Sequence, residues 1–253
     1  MISEATYFTW LFIWMGIAVF TFHVLLKVTS HYGRHTTNLW GPTINNKWAW
    51  FIMEVPVIVM FSYLLFSGPN RISIPVYFFY GTFMIHYVNR VFIFPLRIKS
   101  NGKRMPVAVV ALAFFFNICN GFFNGYWFGY LSPEYSIDWL KDPRFIIGLI
   151  VFFTGMFINM SSDQKLLNLR KGGKKGYYIP KGGLFNYVSS PNLFGEMIEW
   201  LGWAMMSGCL PSFSFALWTL ANLIPRALDH HRWYKKRFPE YPKERKAVIP
   251  FIL

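Results

Sequence analysis

Two glutamates lie three residues apart in a segment that is otherwise apolar enough to enter a lipid bilayer. They are Glu196 and Glu199, in NLFGEMIEWLGW (192–203). A charged side chain at the centre of a membrane helix costs about 2.5–3.5 kcal/mol or more, so such residues normally face a protein interior or a water-filled cavity. A carboxyl group there can orient a neighbouring hydroxyl or, when burial keeps it protonated, donate a hydrogen bond itself. The pair therefore favours a polar site within a bundle of membrane helices.

Other polar side chains at a similar depth fall into groups with helical spacing. Residues three or four apart share one face of a helix, so each group forms a stripe. Most stripes lie near the same end of their helices, which predicts one shared polar cavity. The residues concerned are Glu54; His86, Tyr87 and Arg90; Asn159 and Asp163; Asn192, Glu196 and Glu199; and Arg226, His230 and Tyr234.

Structural hydrogen bonds and ion pairs between helices, such as Glu54 with Arg90, are the alternative explanation of these stripes. For five stripes that carry both signs of charge, a common cavity is the simpler interpretation. By contrast, the uncharged Asn117, Asn120 and Asn124 are interpreted as packing contacts, since amide side chains often hydrogen-bond across membrane helices.

Composition places the stripes in an all-α integral membrane protein. The 253 residues are 54% hydrophobic and only 14% charged, whereas soluble domains carry about 25% charged residues. Long apolar runs recur, and each is predicted to be a transmembrane helix. They are predicted to form a seven-helix bundle and a single domain, residues 1–253, whose last helix continues past Pro225. The spans are 5–26, 48–66, 72–96, 105–130, 145–161, 192–210 and 212–225.

Lysine and arginine residues predict the orientation of the bundle. The loops 27–47, 97–104 and 162–191 and the segment from Arg226 onward hold 21 of the 25. Because cytoplasmic loops carry the excess of positive charge, the N-terminus is predicted outside and the C-terminus in the cytoplasm. The polar cavity would then open to the cytoplasm of a bacterial inner membrane or an endoplasmic reticulum.

The basic loops favour an anionic ligand, although attraction to anionic lipids explains most of the lysines equally well. The sequence has no G-x-G-x-x-G or Walker A motif, and a loop of about 30 residues is too short for a Rossmann domain. A dinucleotide would therefore bind between the helices. The two cysteines, Cys119 and Cys209, lack metal-ligand spacing, so no metal site is expected. Membrane lipids, and not nucleic acid, are the expected partners of a monomer.

Long strings in the C-terminal half resemble the steroid 5α-reductases, the membrane-embedded NADPH-dependent reductases of 3-oxo-Δ4-steroids. The resemblance runs from about residue 30 to the end, and its length makes it far more specific than any short motif. The strings that carry it are IPKGGLFNYVSSPNLFGEMIEWLGWA (179–204) and PRALDHHRWYKKRFPEYPKERKAVIPFI (225–252), with shorter matches in HYGRHT (31–36), WFIMEVP (50–56), HYVNRVF (86–92) and GMFINMSSDQKLLNLR (155–170).

The resemblance implies that NADPH lies in a pocket open to the cytosol, mainly among spans five to seven and the cytoplasmic loops. The steroid would enter from the bilayer and lie deeper, mainly among spans one to four. Tyr87 matches the tyrosine that hydrogen-bonds the C3 ketone, and Glu54 matches its partner carboxyl. Hydride would pass to C5 of the steroid and a proton would be added at C4.

The resemblance also implies a set of residues that bind NADPH. Arg170 and Arg226 are expected at phosphates, while Asn192 and Glu196 are expected at the nicotinamide-ribose end. Glu199 is expected to be a structural partner of a nearby donor or cation. The full cofactor set is Tyr32, Arg104, Asn159, Asp163, Arg170, Tyr177, Asn192, Glu196, Arg226, His230 and Tyr234.

Trp50 and Trp200 are candidate walls of the substrate site, with ordinary aromatic packing as the alternative. Two other functions remain open at this point. One is a membrane reductase of another enone, of trans-2-enoyl-CoA or polyprenal type. The other is a lipid-binding or transport protein that uses the cavity without chemistry, against which stand the cluster of phosphate partners and the lack of repeated halves.

Overall fold

The computed structural model describes residues 2–29, 40–98, 102–169 and 176–253, and within them helices dominate. Tyr32 and Arg170, both predicted to bind the cofactor, lie outside the described residues. The helices are α1 Glu4–Lys27, α2 Asn46–Ser67, α3 Ile74–Val88, α4 Phe94–Arg97, α5 Val107–Tyr126, α6 Pro143–Asn168, α7 Pro191–Ser207 and α8 Leu210–Arg237. Two π-helical turns, Asn89–Ile93 and Trp127–Leu131, and two 3₁₀ turns, Ile137–Lys141 and Gly183–Asn186, complete the helical structure.

A helix lies at each of the seven predicted spans, and the chain is an all-α, multi-pass membrane protein. Four of the described helical segments are long and apolar enough to cross a membrane: Glu4–Lys27, Asn46–Ser67, Val107–Leu131 and Pro143–Asn168. The third predicted span is divided among α3, a π-turn and α4, and α7 has 17 residues. Because about 20 residues are needed to cross the hydrocarbon core, the count of seven stays a prediction.

The last helix continues past Pro225, as predicted, and ends at Arg237. A short antiparallel ribbon was not predicted: β1 (Thr43–Asn45) pairs with β2 (Arg104–Pro106), with Ile44 opposite Met105. The ribbon joins the N-terminal end of α2 to the N-terminal end of α5. It therefore holds the two helix ends, and the side chains that they carry, beside each other.

Helices α6 and α7 approach each other at glycines spaced seven residues apart on both helices. A Cβ on Gly155 would lie 2.3 Å from the Glu199 nitrogen, and one on Gly195 would lie 2.4 Å from the Asn159 nitrogen. No side chain fits at such distances, so the two backbones are in direct contact. This contact sets the relative heights of Asn159 and Glu199, two members of the predicted stripes.

Helices α2 and α5 approach in a different way, because the repeated glycines lie on α5 and the π-turn that follows it. Gly121, Gly125 and Gly129 repeat every four residues, and a Cβ on Gly125 would lie 2.9 Å from the Phe61 carbonyl oxygen. This GxxxGxxxG stripe brings α5 against the backbone of α2. Between the helices, a core of aromatic side chains includes Phe61, which is fully buried.

Candidate functional site

A cavity of about 230 Å³ lies where α2, α6, α7 and α8 meet the β-ribbon. Its lining combines aromatic rings with cationic and amide side chains. Among the predicted site residues it contains Trp50, Arg104, Asp163, Tyr177, Asn192, Arg226, His230 and Tyr234, together with Asn46, Phe94, Lys103 and Tyr178. The structure therefore brings eight residues from six separate sequence segments to one cavity.

Arg90, a member of one predicted polar stripe that was given no cofactor or substrate contact, packs against two aromatic rings of the cavity lining. Its guanidinium lies over the Trp50 ring at 4.8 Å and over the Phe94 ring at 5.5 Å. The same group donates to Glu196 Oε2 at 3.3 Å, so the ion pair formed is not the Glu54 pair that sequence analysis considered as an alternative. A guanidinium held between two rings and a carboxylate has a fixed position and retains a positive charge beside the cavity.

The stripes of α6 and α7 form one continuous network. Asn159 Nδ2 donates to the Asn192 carbonyl at 2.9 Å and to Glu196 Oε2 at 3.4 Å. Asn192 Nδ2 in turn donates to Asp163 Oδ1 at 3.0 Å. Both amides are donors here, so the carboxylates of Glu196 and Asp163 are the acceptors. The hydrogen bonds hold these two carboxylates near the cavity. The network fixes the side chains that were predicted to contact the nicotinamide-ribose end.

Glu199, one turn further along α7, has a different environment. It is completely buried, and its Oε1 lies 2.8 Å from Nδ1 of His86, which is itself buried. The pair links α7 to α3 away from the cavity lining. The predicted contact of Glu199 with a nearby donor is therefore present, and its purely structural role stays a prediction.

The β-ribbon supplies two cationic side chains at the cavity mouth. Arg104 Nε donates to Thr43 Oγ1 at 2.8 Å, and its terminal nitrogen donates to the Thr43 carbonyl. Lys103 Nζ lies 3.0 Å from the Tyr177 hydroxyl and 4.8 Å from the centre of its ring. Lys103 was not predicted at the site, although its position beside Arg104 and a basic loop were visible in the sequence. Both cations line the cavity and could contact an anionic ligand bound there.

The last helix contributes the third side of the cavity. Arg226 is 7% exposed and Tyr234 2% exposed, whereas His230 is half-buried, with Nδ1 3.4 Å from Ser190 Oγ. Their spacing of four residues puts all three on the cavity side of α8, as the stripe predicted. A buried arginine facing a cavity is suited to a bound anion.

The C-terminal tail folds back on α8 through a second polar cluster. Ser189 Oγ lies 2.6 Å from His231 Nδ1 and 2.7 Å from the Tyr241 hydroxyl. Burial, helped by Lys235 and Lys246, lowers the pKa of His231 to about 4. His231 is therefore neutral at pH 7, and the cluster ties the tail beside the cavity.

Glu54 and Tyr87, the predicted catalytic pair, lie on different helices and are brought to the same face of α5. Asn117 Nδ2 donates to Glu54 Oε2 at 3.3 Å, and Asn120 Nδ2 donates to the Tyr87 hydroxyl at 3.4 Å. Tyr87 is 3% exposed. Sequence analysis interpreted these asparagines as packing contacts. They do connect helices, but their partners are the two side chains that were predicted to polarise a ketone. The spacing of the two asparagines, three residues on one helix, could have indicated that they face the same site.

Trp200, the other predicted substrate wall, lies in the aromatic core and is 1% exposed. Its ring centre is 4.3 Å from that of Phe215 and 4.6 Å from that of His86. It lies 5.8 Å from the ring of Tyr87, so it packs behind the predicted catalytic residue. Its role as a substrate wall stays a prediction.

Comparison with known proteins agrees with the resemblance. Residues 103–253 match the family model described as 3-oxo-5-alpha-steroid 4-dehydrogenase. Steroid 5-alpha-reductase DET2 of Arabidopsis thaliana is 41% identical, over 99% of this chain and 98% of the plant protein. Human 3-oxo-5-alpha-steroid 4-dehydrogenase 1 is 39% identical, over 94% of this chain and 91% of the human protein. The chain therefore belongs to the 3-oxo-5-alpha-steroid 4-dehydrogenases, the steroid 5-alpha-reductase family of oxidoreductases.

Proposed function

We propose that the protein reduces the Δ4 double bond of 3-oxo-Δ4-steroids to 5α-reduced 3-oxo-steroids, with NADPH as the reductant. The observation that carries the proposal is the placement of buried Tyr87 on α3 and half-buried Glu54 on α2 against the same face of α5, near a cavity lined with cations and aromatic rings. The similar plant and human proteins are named as a steroid reductase and a steroid dehydrogenase, which supports the steroid class of the substrate. The 230 Å³ cavity supplies a polar region, and the core around Tyr87 supplies an adjoining apolar region.

The residues of the cavity fit the chemistry of NADPH. Pyrophosphate and the 2′-phosphate need cationic donors, which Arg104, Lys103 and Arg226 would provide. A flat nicotinamide ring and its amide need an aromatic wall and hydrogen-bonding groups. Trp50 would form that wall, and the network of Asn192 and Glu196 would bind the ribose and amide. The remaining predicted contacts, including Tyr32 and Arg170, belong to the same proposal.

The reaction adds two hydrogens across C4=C5 of the enone, one as hydride and one as proton. When bound, NADPH would supply the hydride that C5 receives. As the π bond breaks, electron density moves onto the C3 oxygen, and a donor aimed at that oxygen lowers the barrier. Tyr87 would donate to it, and Glu54 would orient Tyr87 or, when protonated, donate as well. The negative charge is then consumed when C4 takes a proton.

The same proposal includes the arrangement in the membrane. The N-terminus would be outside and the C-terminus cytoplasmic, since 21 of 25 basic residues fall on one side. NADPH would then reach the cavity from the cytoplasm, while the steroid enters from the bilayer between the first four spans. Surrounded by lipid, the single domain of 253 residues would act as a monomer.

Turnover by the purified protein tests the proposed function. We expect NADPH and testosterone or progesterone in lipid or detergent to yield the 5α-reduced product. A panel containing a trans-2-enoyl-CoA and a polyprenal, followed by NADPH consumption, separates the other enone reductases. Binding of NADPH without turnover of any enone would favour another oxidoreductase substrate, and absence of NADPH binding would favour a lipid-binding or transport protein.

A further inference from the structure

We propose that Asn120 is a positioning residue that fixes the direction of the Tyr87 hydroxyl, so that its proton points away from α5 and toward the substrate ketone. The inference rests on the proposed function and adds a residue that was predicted only to make packing contacts. It depends on a buried chain of hydrogen bonds that begins on α8, crosses α5 and ends at Tyr87.

The donors of this chain all run in one direction. Ser212 Oγ donates to Asn124 Oδ1 at 3.4 Å, and Asn124 Nδ2 donates to Asn120 Oδ1 at 2.9 Å. Asn120 Nδ2 then donates to the Tyr87 hydroxyl at 3.4 Å. Each amide accepts on its oxygen and donates from its nitrogen, so the sequence of donors leads from α8 to the tyrosine.

The direction is fixed by a group that cannot reverse. Asn124 Nδ2 also donates to the backbone carbonyl of Asn120 at 3.0 Å, and a carbonyl oxygen can only accept. The amide nitrogen of Asn124 must therefore face Asn120, and its oxygen must face Ser212. If the Asn120 amide were turned over, its NH₂ would meet the NH₂ of Asn124, which leaves two buried donors facing each other.

The position of Asn120 decides what the tyrosine can do. The hydroxyl has one proton, and on the α5 side it accepts a hydrogen bond instead of donating one. Its proton must leave in another direction, where the ketone or Glu54 can accept it. A hydroxyl that accepts a bond is also polarised into a stronger donor.

Burial keeps the chain from being replaced by water. Asn120 is 3% exposed, while Asn124 and Ser212 are not exposed at all. In such surroundings an amide that lost its partner would stay unsatisfied, so the arrangement has few alternatives. If the asparagines only joined the helices, the same contacts would be needed. The direction of the Tyr87 proton would then have no effect on catalysis.

Two variants separate these roles. Asn120→Leu removes the donor at similar volume, and we expect kcat to fall about tenfold with the Kd for NADPH unchanged. Asn120→Asp restores a donor only while its carboxyl is protonated. Once ionised, it would accept the Tyr87 proton and divert it from the ketone. We therefore expect kcat near that of the wild type at low pH, with a new titration that lowers it as the pH rises.

Asn70→Asp is the matched control, because Asn70 also donates its amide to buried carbonyls but lies at the other end of α2 from the cavity. Its melting temperature should fall, whereas its kcat should keep the wild-type pH profile. Wild-type kcat in Asn120→Leu, or a loss in Asn120→Asp that is the same at every pH, would overturn the inference alone. A wild-type protein that reduces no enone would overturn the proposed function and this role with it.

Discussion

The substrate side and the cofactor side of the molecule use opposite kinds of polar group. On the substrate side, the donors are neutral amides, since Asn120 donates to Tyr87 and Asn117 donates to Glu54. Around Glu196, they come from the charged Arg90 and from an amide network that ends on Asp163. Charge is thus placed beside the cavity where an anionic cofactor is proposed, and neutral donors are placed where the proposed ligand is a ketone.

The difference follows from the cost of burying charge. An ion pair beside a cavity is partly solvated and becomes useful when a charged ligand binds, whereas an unpaired ion in a dry core costs several kcal/mol. A neutral donor near a ketone costs little in the ground state and gains strength as negative charge forms on the oxygen. Glu199 and His86 show a third solution, because the carboxyl and the imidazole are buried against each other at 2.8 Å.

The largest expected effect comes from removing the neutral donor itself. Tyr87→Phe keeps the ring that packs on Phe83 at 4.6 Å but deletes the hydroxyl. We expect kcat for steroid reduction to fall by about 10²–10³, as for loss of one oxyanion donor, while the Kd for NADPH stays within twofold. Steady-state turnover of the steroid measures kcat, and a titration of NADPH followed by fluorescence measures Kd. Equal loss of cofactor binding would show that the two regions are not separate.

Glu196→Ala should affect the binding of NADPH more than kcat. It deletes the acceptor of both Arg90 and Asn159, so the Kd for NADPH should rise about 10–100-fold, the value of one or two charge-assisted hydrogen bonds. At saturating NADPH, kcat should change less than Kd does. Glu199→Gln is the matched control on the same helix. It should lower the melting temperature because it breaks the buried pair with His86, yet leave the Kd near the wild-type value.

The sequence predicted the helices well because their physical signals are local. Apolar runs gave each helix, and the stripe of Arg226, His230 and Tyr234 required only that α8 continue past Pro225, which it does. Spacing alone did not separate Glu196 from Glu199, since three residues place them only about 60° apart on one side of the helix. Their outcomes then depended on which helix each faced.

The rest of the site depends on contacts between distant segments, which spacing alone does not reveal. Arg90 could have paired with Glu54 or Glu196, and only the assembled helices place its guanidinium 3.3 Å from Glu196. Asn120 was separated from Tyr87 by 33 residues and was classed with ordinary packing residues. The stripe of Gly121, Gly125 and Gly129, which brings α5 onto α2, was the sequence feature that could have shown that this face of α5 is a contact face.

A smaller change in the helix contacts sharpens the comparison. Gly155→Ala places a Cβ 2.3 Å from the Glu199 nitrogen on α7, so the α6–α7 pair must separate. We expect the Kd for NADPH to rise about tenfold, because Asn159 and Glu196 lose their relative position. Gly121→Ala, with a Cβ 2.8 Å from the Met60 Cβ on α2, should instead raise the steroid KM and leave the Kd for NADPH unchanged. The same effect from both variants would contradict a division between the two helix pairs.

The smallest expected effect is on pH dependence, and it belongs to the cofactor side alone. The pKa of His231 is about 4 in the folded protein, below its ordinary value of about 6.5, because of burial and the neighbouring Lys235 and Lys246. Between these two values the unfolded chain binds more protons, so stability falls as the pH is lowered from about 6.5 toward 4. Below pH 4 this contribution is constant.

His231→Gln tests that contribution while keeping a group that can hydrogen-bond Ser189, the partner of His231 at 2.6 Å. On acidification from pH 7 to 5, the variant should lose less of its melting temperature than the wild type does. Since the Ser189 cluster ties the tail beside the cavity, bound NADPH should protect the wild type most at neutral pH. If the two proteins lost the same melting temperature between pH 7 and 5, His231 would not be the group that links protonation to the docking of the tail.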